Sequence, residues 1–265
     1  MRSPCVGTVM ALLLAACSAA GRMTTVTEGS TTSTSDVTAT TVATATTTTT
    51  STSLGGGTVE FERALLRVEI NSTDGDAGLQ IDLDHEPWTT LGLTAPGGSK
   101  LLDVVDQGVL DSYGLTELFS ESSEPPFTDF PLDEFMKLFP AGEYVFEGKT
   151  VDGVRMRSTF TLTHDFPAGP EILSPEEDAT VPPDDLVVEW APVREPAGIE
   201  IVRYQVLVIN EENPLYEFSA TVPAGVTGLT VPTEFLAING KYKVEVLAIE
   251  VSGNQTLSEL AFIVG

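Results

Sequence analysis

The sequence predicts an all-β protein: two tandem antiparallel β-sandwiches behind a Thr/Ser-rich tether. Three observations carry this. Apolar residues alternate with polar ones in segment after segment, the strand period rather than the helical one. About 210 residues follow Gly55-Gly56-Gly57, room for two ordinary domains. The run Pro167-Ala168-Gly169-Pro170 divides them, because prolines cannot donate to a sheet ladder.

The N-terminal elements come first. Residues 1–16 have the parts of an export signal: Arg2, an apolar run over 6–14, and small Ala15 and Ala16. That run is too short to cross a bilayer, which takes ~20 residues as a helix. Residues 24–53 are nearly all Thr, Ser, Ala and Val. They hold too little apolar bulk to offset ordering entropy, so residues 17–57 read as a disordered tether. Its random-coil reach is roughly 30 Å and its full extension about 100 Å.

In the first folded segment, 58–166, strands are expected over 61–70, 79–83 and 88–93. A short helix is expected at 131–138, with Pro131 preset for its first turn. Asp152-Gly153 marks a hairpin, and 154–162 alternate again. In the second segment, 170–265, Leu186, Val188 and Trp190 face a core on one strand and Tyr204, Val206 and Val208 on another. The clearest strand runs over 241–248, and a turn at Ser252-Gly253-Asn254 leads to the last one. Leu138…Gly142-Glu143-Tyr144-Val145-Phe146 in the first segment repeats the interval of Leu236…Gly240-Lys241-Tyr242-Lys243-Val244 in the second.

Three resemblances follow. Leu14-Ala15-Ala16-Cys17 resembles the bacterial lipobox, which implies diacylglycerol on the Cys17 thiol, cleavage before it and acylation of the new amine. Two or three acyl chains make such attachment durable. Ser18, rather than an aspartate, favours the outer over the inner membrane. An ordinary secretory cut near the same place is the alternative. The second segment resembles a fibronectin type III domain, on Trp190-Ala191-Pro192, Tyr204-x-Val206-x-Val208 and the Leu236/Tyr242 pair. That pair looks like the tyrosine corner, which pins a strand crossover. Both segments suit the immunoglobulin-like class of sandwich. Residues 69–78 and 114–127 resemble motif blocks of bacterial secreted proteins, a likeness that brings no activity with it.

Charge narrows the partners. The chain carries 13 Lys and Arg against 39 Asp and Glu, a net −26, and loses Arg2 with the signal. Such a surface repels nucleic acid and anionic headgroups, so contact with a membrane is expected only through the lipid. Of the two cysteines, Cys5 leaves with the signal, and Cys17 alone can form no disulfide.

The search for chemistry finds little. His85 and His164 are the only histidines; no Gly-x-Ser-x-Gly elbow, zinc spacing or phosphate-cradling loop accompanies them. His164 is read as a structural, hydrogen-bonded residue. Asp74-Gly75-Asp76-Ala77-Gly78 can aim two carboxylates at a calcium ion, with Asp82 and Asp84 at matching parity. It is not an EF-hand, since the twelfth position counted from Asp74 is His85, and the same residues make an ordinary turn. Glu117, Glu121 and Glu124 are the densest acidic group for glycoside hydrolysis. The expectation is a non-enzymatic envelope lipoprotein, needing no cofactor, that binds a protein or glycan or serves as a structural spacer. A calcium-dependent adhesin or carbohydrate binder is the second reading, and a carboxylate hydrolase the third.

Overall fold

The computed structural model describes residues 57–184 and 186–265. Cys17 and the tether up to residue 56 lie outside the described residues.

The first half comprises β1 (Thr58–Val59), β2 (Arg63–Asn71), β3 (Asp76–Thr94), β4 (Lys100–Val105), the short α1 (Leu110–Tyr113), β5 (Leu115–Glu121), α2 (Leu132–Leu138), β6 (Gly142–Thr150) and β7 (Arg155–Leu162). The expected helix is α2, which packs Phe135 into the core. Residues 79–83 and 88–93 are not two strands. They are one 19-residue strand, β3, that changes neighbours along its length. Its first part pairs with β2 and β5, its last part with β4 and β6, and register shifts fall between Asp84 and Thr90. Such irregularities bend a strand and re-aim its side chains. β3 therefore serves both layers of the sandwich. Leu66, Val68, Leu79, Trp88, Leu93 and Phe146 are among the side chains buried between them.

The second half comprises β8 (Ile172–Ser174), β9 (Thr180–Val181), β10 (Val187–Trp190), β11 (Ile201–Asn210), β12 (Glu217–Pro223), β13 (Gly228–Thr230), a 3₁₀ turn at Thr233–Phe235, β14 (Lys241–Glu250) and β15 (Gln255–Val264). A three-stranded sheet, β13-β10-β8, faces the four strands β12-β11-β14-β15. That is the strand order of a fibronectin type III sandwich. Leu186, Val188, Trp190, Tyr204, Val206 and Val208 are all buried, as the alternation requires. The Tyr204 hydroxyl accepts the Val193 N–H at 2.8 Å, and its ring lies 5.4 Å from that of Trp190.

The dividing prolines end a strand, but they do not end the sheet. β15 pairs in parallel with β2, so one twelve-stranded sheet runs through both halves.

Candidate functional site

The parallel pair sets Gln255 opposite Glu69, Thr256 opposite Ile70 and Leu257 opposite Asn71. Residues opposite one another share a face, so the register builds continuous rows. One runs Arg203, Ile249, Gln255, Glu69, Gly78; the next runs Gln205, Leu247, Leu257, Asn71, Asp76. This outer face also holds Leu207 and Ile209. With Leu247, Ile249 and Leu257 they are buried yet belong to neither core. The face is thus part apolar and part strongly ionic.

Asn254 locks the halves together. It sits in the β14–β15 turn but is 1% exposed. Its Oδ1 accepts the Val68 N–H at 2.9 Å, and its Nδ2 donates to the Thr163 carbonyl at 3.1 Å and to Thr163 Oγ1 at 3.0 Å. The Glu250 carboxylate holds this turn, accepting the N–H groups of Ser252 at 2.8 Å and Asn254 at 3.1 Å. Ser72 reinforces the seam through its N–H and hydroxyl, which reach the Leu257 carbonyl at 2.9 and 2.7 Å.

Three carboxylates gather beside the seam. Oxygens of Glu69, Glu121 and Glu124 all lie within 4.8 Å of one another. Gln255 donates to Glu69, and Gln80 donates to Glu121 at 2.8 Å while accepting from Arg67 at 2.7 Å. Gly78 leaves the space: a side chain there would run into the Glu124 carboxyl. Burial pushes Glu69 up to about 7, helped by Glu121 and Glu245 and opposed by the Gln255 hydrogen bond. Burial likewise raises Asp76 to about 6, with Asp74, Glu259 and Glu121 adding to it. Carboxylates this close cannot all ionise cheaply, so the group either keeps a proton or takes a hard cation.

The residues singled out from sequence are distributed as follows. Asp76 is buried at the end of the β2–β3 pair, and Asp74 stands in the turn, its N–H bonded to Asn71 Oδ1 at 3.0 Å. Asp82 and Asp84 face Arg63, at 2.9 and 3.4 Å, rather than joining that loop. Glu121 and Glu124 come together, whereas Glu117 lies 4.0 Å from Arg63. His164 Nε2 meets the Phe139 carbonyl at 2.8 Å, a structural bond that requires the proton on that nitrogen. His85 Nδ1 accepts the Glu86 N–H at 2.7 Å. Glu69, Gln255 and Asn254 were not legible as site residues. Glu69 looks like an ordinary outward position of an alternating strand, and its partner Gln255 is 186 residues away.

No family model matches the chain, and no curated protein matches it. Among solved structures it is similar to the FN1–FN3 domains of chicken CNTN1, at 12% identity and a TM-score of 0.32, over 78% of this chain and 65% of that one. It is also similar to a tetra-tandem repeat from the extending region of a large adhesion protein, at 12% identity and a TM-score of 0.26, over 77% of this chain and 50% of that one. The chain thus spans less than two thirds of either structure.

Proposed function

We infer that the chain is a lipid-anchored, non-enzymatic binding or structural module of a bacterial envelope, presenting two sandwiches in fixed mutual geometry. The observation that carries this is the seam. Main-chain pairing of β2 with β15, together with the buried Asn254, ties the halves into one body, which suits a surface presented in fixed geometry. A rigid body behind a long tether suits holding a binding surface at a distance from a membrane. The anchor reading draws on Leu14-Ala15-Ala16-Cys17, and its outer-membrane placement on Ser18.

The test is Cys17→Ala in the full chain. The unaltered protein is expected in the detergent-soluble membrane fraction with the added mass of its acyl chains, and the variant in the aqueous fraction without it. Identical fractionation and mass would overturn the anchor. Affinity capture from solubilised envelopes with the full chain is expected to give a reproducible protein or glycan partner; an empty eluate would reduce the role to that of a spacer.

A further inference from the structure

On the first half, away from the seam, the outer face of β4, β3, β6 and β7 forms a concavity of about 570 Å³. Its lining breaks with the rest of the molecule. Of the 13 Lys and Arg in a chain of net charge −26, four stand here: Lys100, Lys149, Arg155 and Arg157. Two of them are balanced locally, Lys100 by Asp103 at 2.8 Å and Arg157 by Glu147 at 3.3 Å. Lys149 and Arg155 are directly opposite one another across β6 and β7, and neither forms an ion pair among the described residues. Like charges facing each other across an antiparallel pair are destabilising. Two unbalanced cations are therefore held together where an acidic protein had every means of separating them.

The floor indicates what they face. Thr90 is opposite Lys149, Gly92 is opposite Glu147, and Thr94 continues the same face of β3. A Cβ at Gly92 would meet nothing nearer than 3.8 Å, so the middle of the floor opens directly into the cavity. Leu91 and Met156 touch the lining but are only 1% and 2% exposed. The groove thus offers hydroxyls, backbone and charge, with no apolar pocket to seat a peptide anchor and no aromatic platform to stack a neutral sugar or a base.

We propose that this groove binds an anionic oligosaccharide, its carboxylate or sulfate held between Lys149 and Arg155 and its hydroxyls on the threonine floor. The ligand carries its charge sparsely. A densely charged polyanion such as nucleic acid would set charge after charge against the acidic surface beyond the groove, whereas a ligand whose charges lie farther apart than a Debye length, ~8 Å at physiological salt, sets few there. The proposal deepens the reading of a binding module and rests on it, but it is read out independently. The groove is tested in solution, and the anchor by fractionation.

The experiment is calorimetric titration of the purified full-length chain with four probes: a hyaluronate hexasaccharide, a keratan sulfate hexasaccharide with one sulfate per disaccharide, a neutral chitin hexasaccharide and hexaglutamate. Hyaluronate or keratan sulfate is expected to bind, the better of the two identifying the anionic group. Affinity should fall at least tenfold in the Lys149→Gln/Arg155→Gln double variant and weaken as salt rises. The variant's Tm should not fall, because an exposed like-charge pair has been removed, so lost binding cannot be ascribed to unfolding. Chitin binding as tightly as the charged sugars would overturn the proposal, as would undiminished binding by the double variant or no binding to any probe. Hexaglutamate binding more tightly than either anionic sugar would overturn it in favour of an acidic peptide.

Discussion

Tyr144 and Tyr242 occupy the same place in the same local phrase, Leu-x-x-x-Gly-x-Tyr, one in each half of the molecule, and both are fully buried. Their hydrogen bonds differ, since the Tyr242 hydroxyl accepts a backbone N–H as well as donating to the Phe235 carbonyl at 3.5 Å. The Tyr144 hydroxyl donates to the Pro140 carbonyl at 2.9 Å, whereas the Tyr242 hydroxyl accepts the Ala237 N–H at 2.8 Å. The glycines differ as well. Gly142 has φ +140°, a backbone conformation that side chains rarely adopt. Gly240 is required by proximity, because a Cβ there would strike the Tyr242 ring and the Ala237 carbonyl. Leu138 is 57% exposed at the end of α2, whereas Leu236 packs against the second core. One sequence pattern thus meets two distinct physical demands, and a repeat in sequence is not yet a repeat in structure.

The sharpest way to break the comparison is to empty each core in turn. Trp88→Ala and Trp190→Ala remove fully buried indoles and should each cost about 3–5 kcal/mol. Because the seam couples the halves, calorimetry of either variant is expected to show both halves melting in one transition. An intact half that melts separately would mean that the seam is weak.

Glu69 sharpens it next. Its folded pKa, about 7, lies above the ordinary carboxylate value, so the folded chain holds the proton more tightly than the unfolded one. That stabilisation is complete below the ordinary range and is lost as pH rises through 7, with a size on the order of 3 kcal/mol. Asp76 acts in the same sense toward about 6. Tm is expected to fall between about pH 5 and about pH 8, and Glu69→Gln should flatten that fall. If the proton alone neutralises the trio, millimolar Ca²⁺ leaves Tm unchanged at the upper pH. A rise that Glu69→Gln abolishes would assign the role to a cation instead.

Asn254→Ala strands the Val68 N–H and the Thr163 carbonyl, at about 2–3 kcal/mol, and should split the single calorimetric transition into two. The smallest effect separates the two corners. Tyr144→Phe loses one hydrogen bond and Tyr242→Phe two, each worth about 1 kcal/mol. Tyr242→Phe should be the costlier, because it orphans a backbone donor, while Pro140 keeps a carbonyl with two lone pairs to satisfy. Chemical denaturation of the two variants compares them directly.

The second half was largely legible because its evidence is local. Alternation places Val206 and Val244 inward, and the Trp190 and Tyr242 motifs fix strand order without long-range information. The first half was less so. Nothing in residues 79–93 announces that one strand bends through His85 and Pro87 to serve two layers, since a bend resembles a break. The seam was invisible for a different reason. Parallel pairing of two edge strands leaves no turn signal between them, and Asn254 reads as a solvent-facing turn residue until the Val68 N–H is found beside it. The acidic group is half legible: Glu121 and Glu124 are near neighbours in sequence, while Glu69 arrives from another strand.

The β2–β15 pairing also has a consequence in time. A ribosome makes β2 long before β15, so for some 185 residues of synthesis the end of that strand, Glu69–Asn71, has no ladder partner on one side. Until its distant mate arrives, it is a sticky margin that any extended polypeptide can occupy, and the chain's greatest exposure to misassembly falls in that interval.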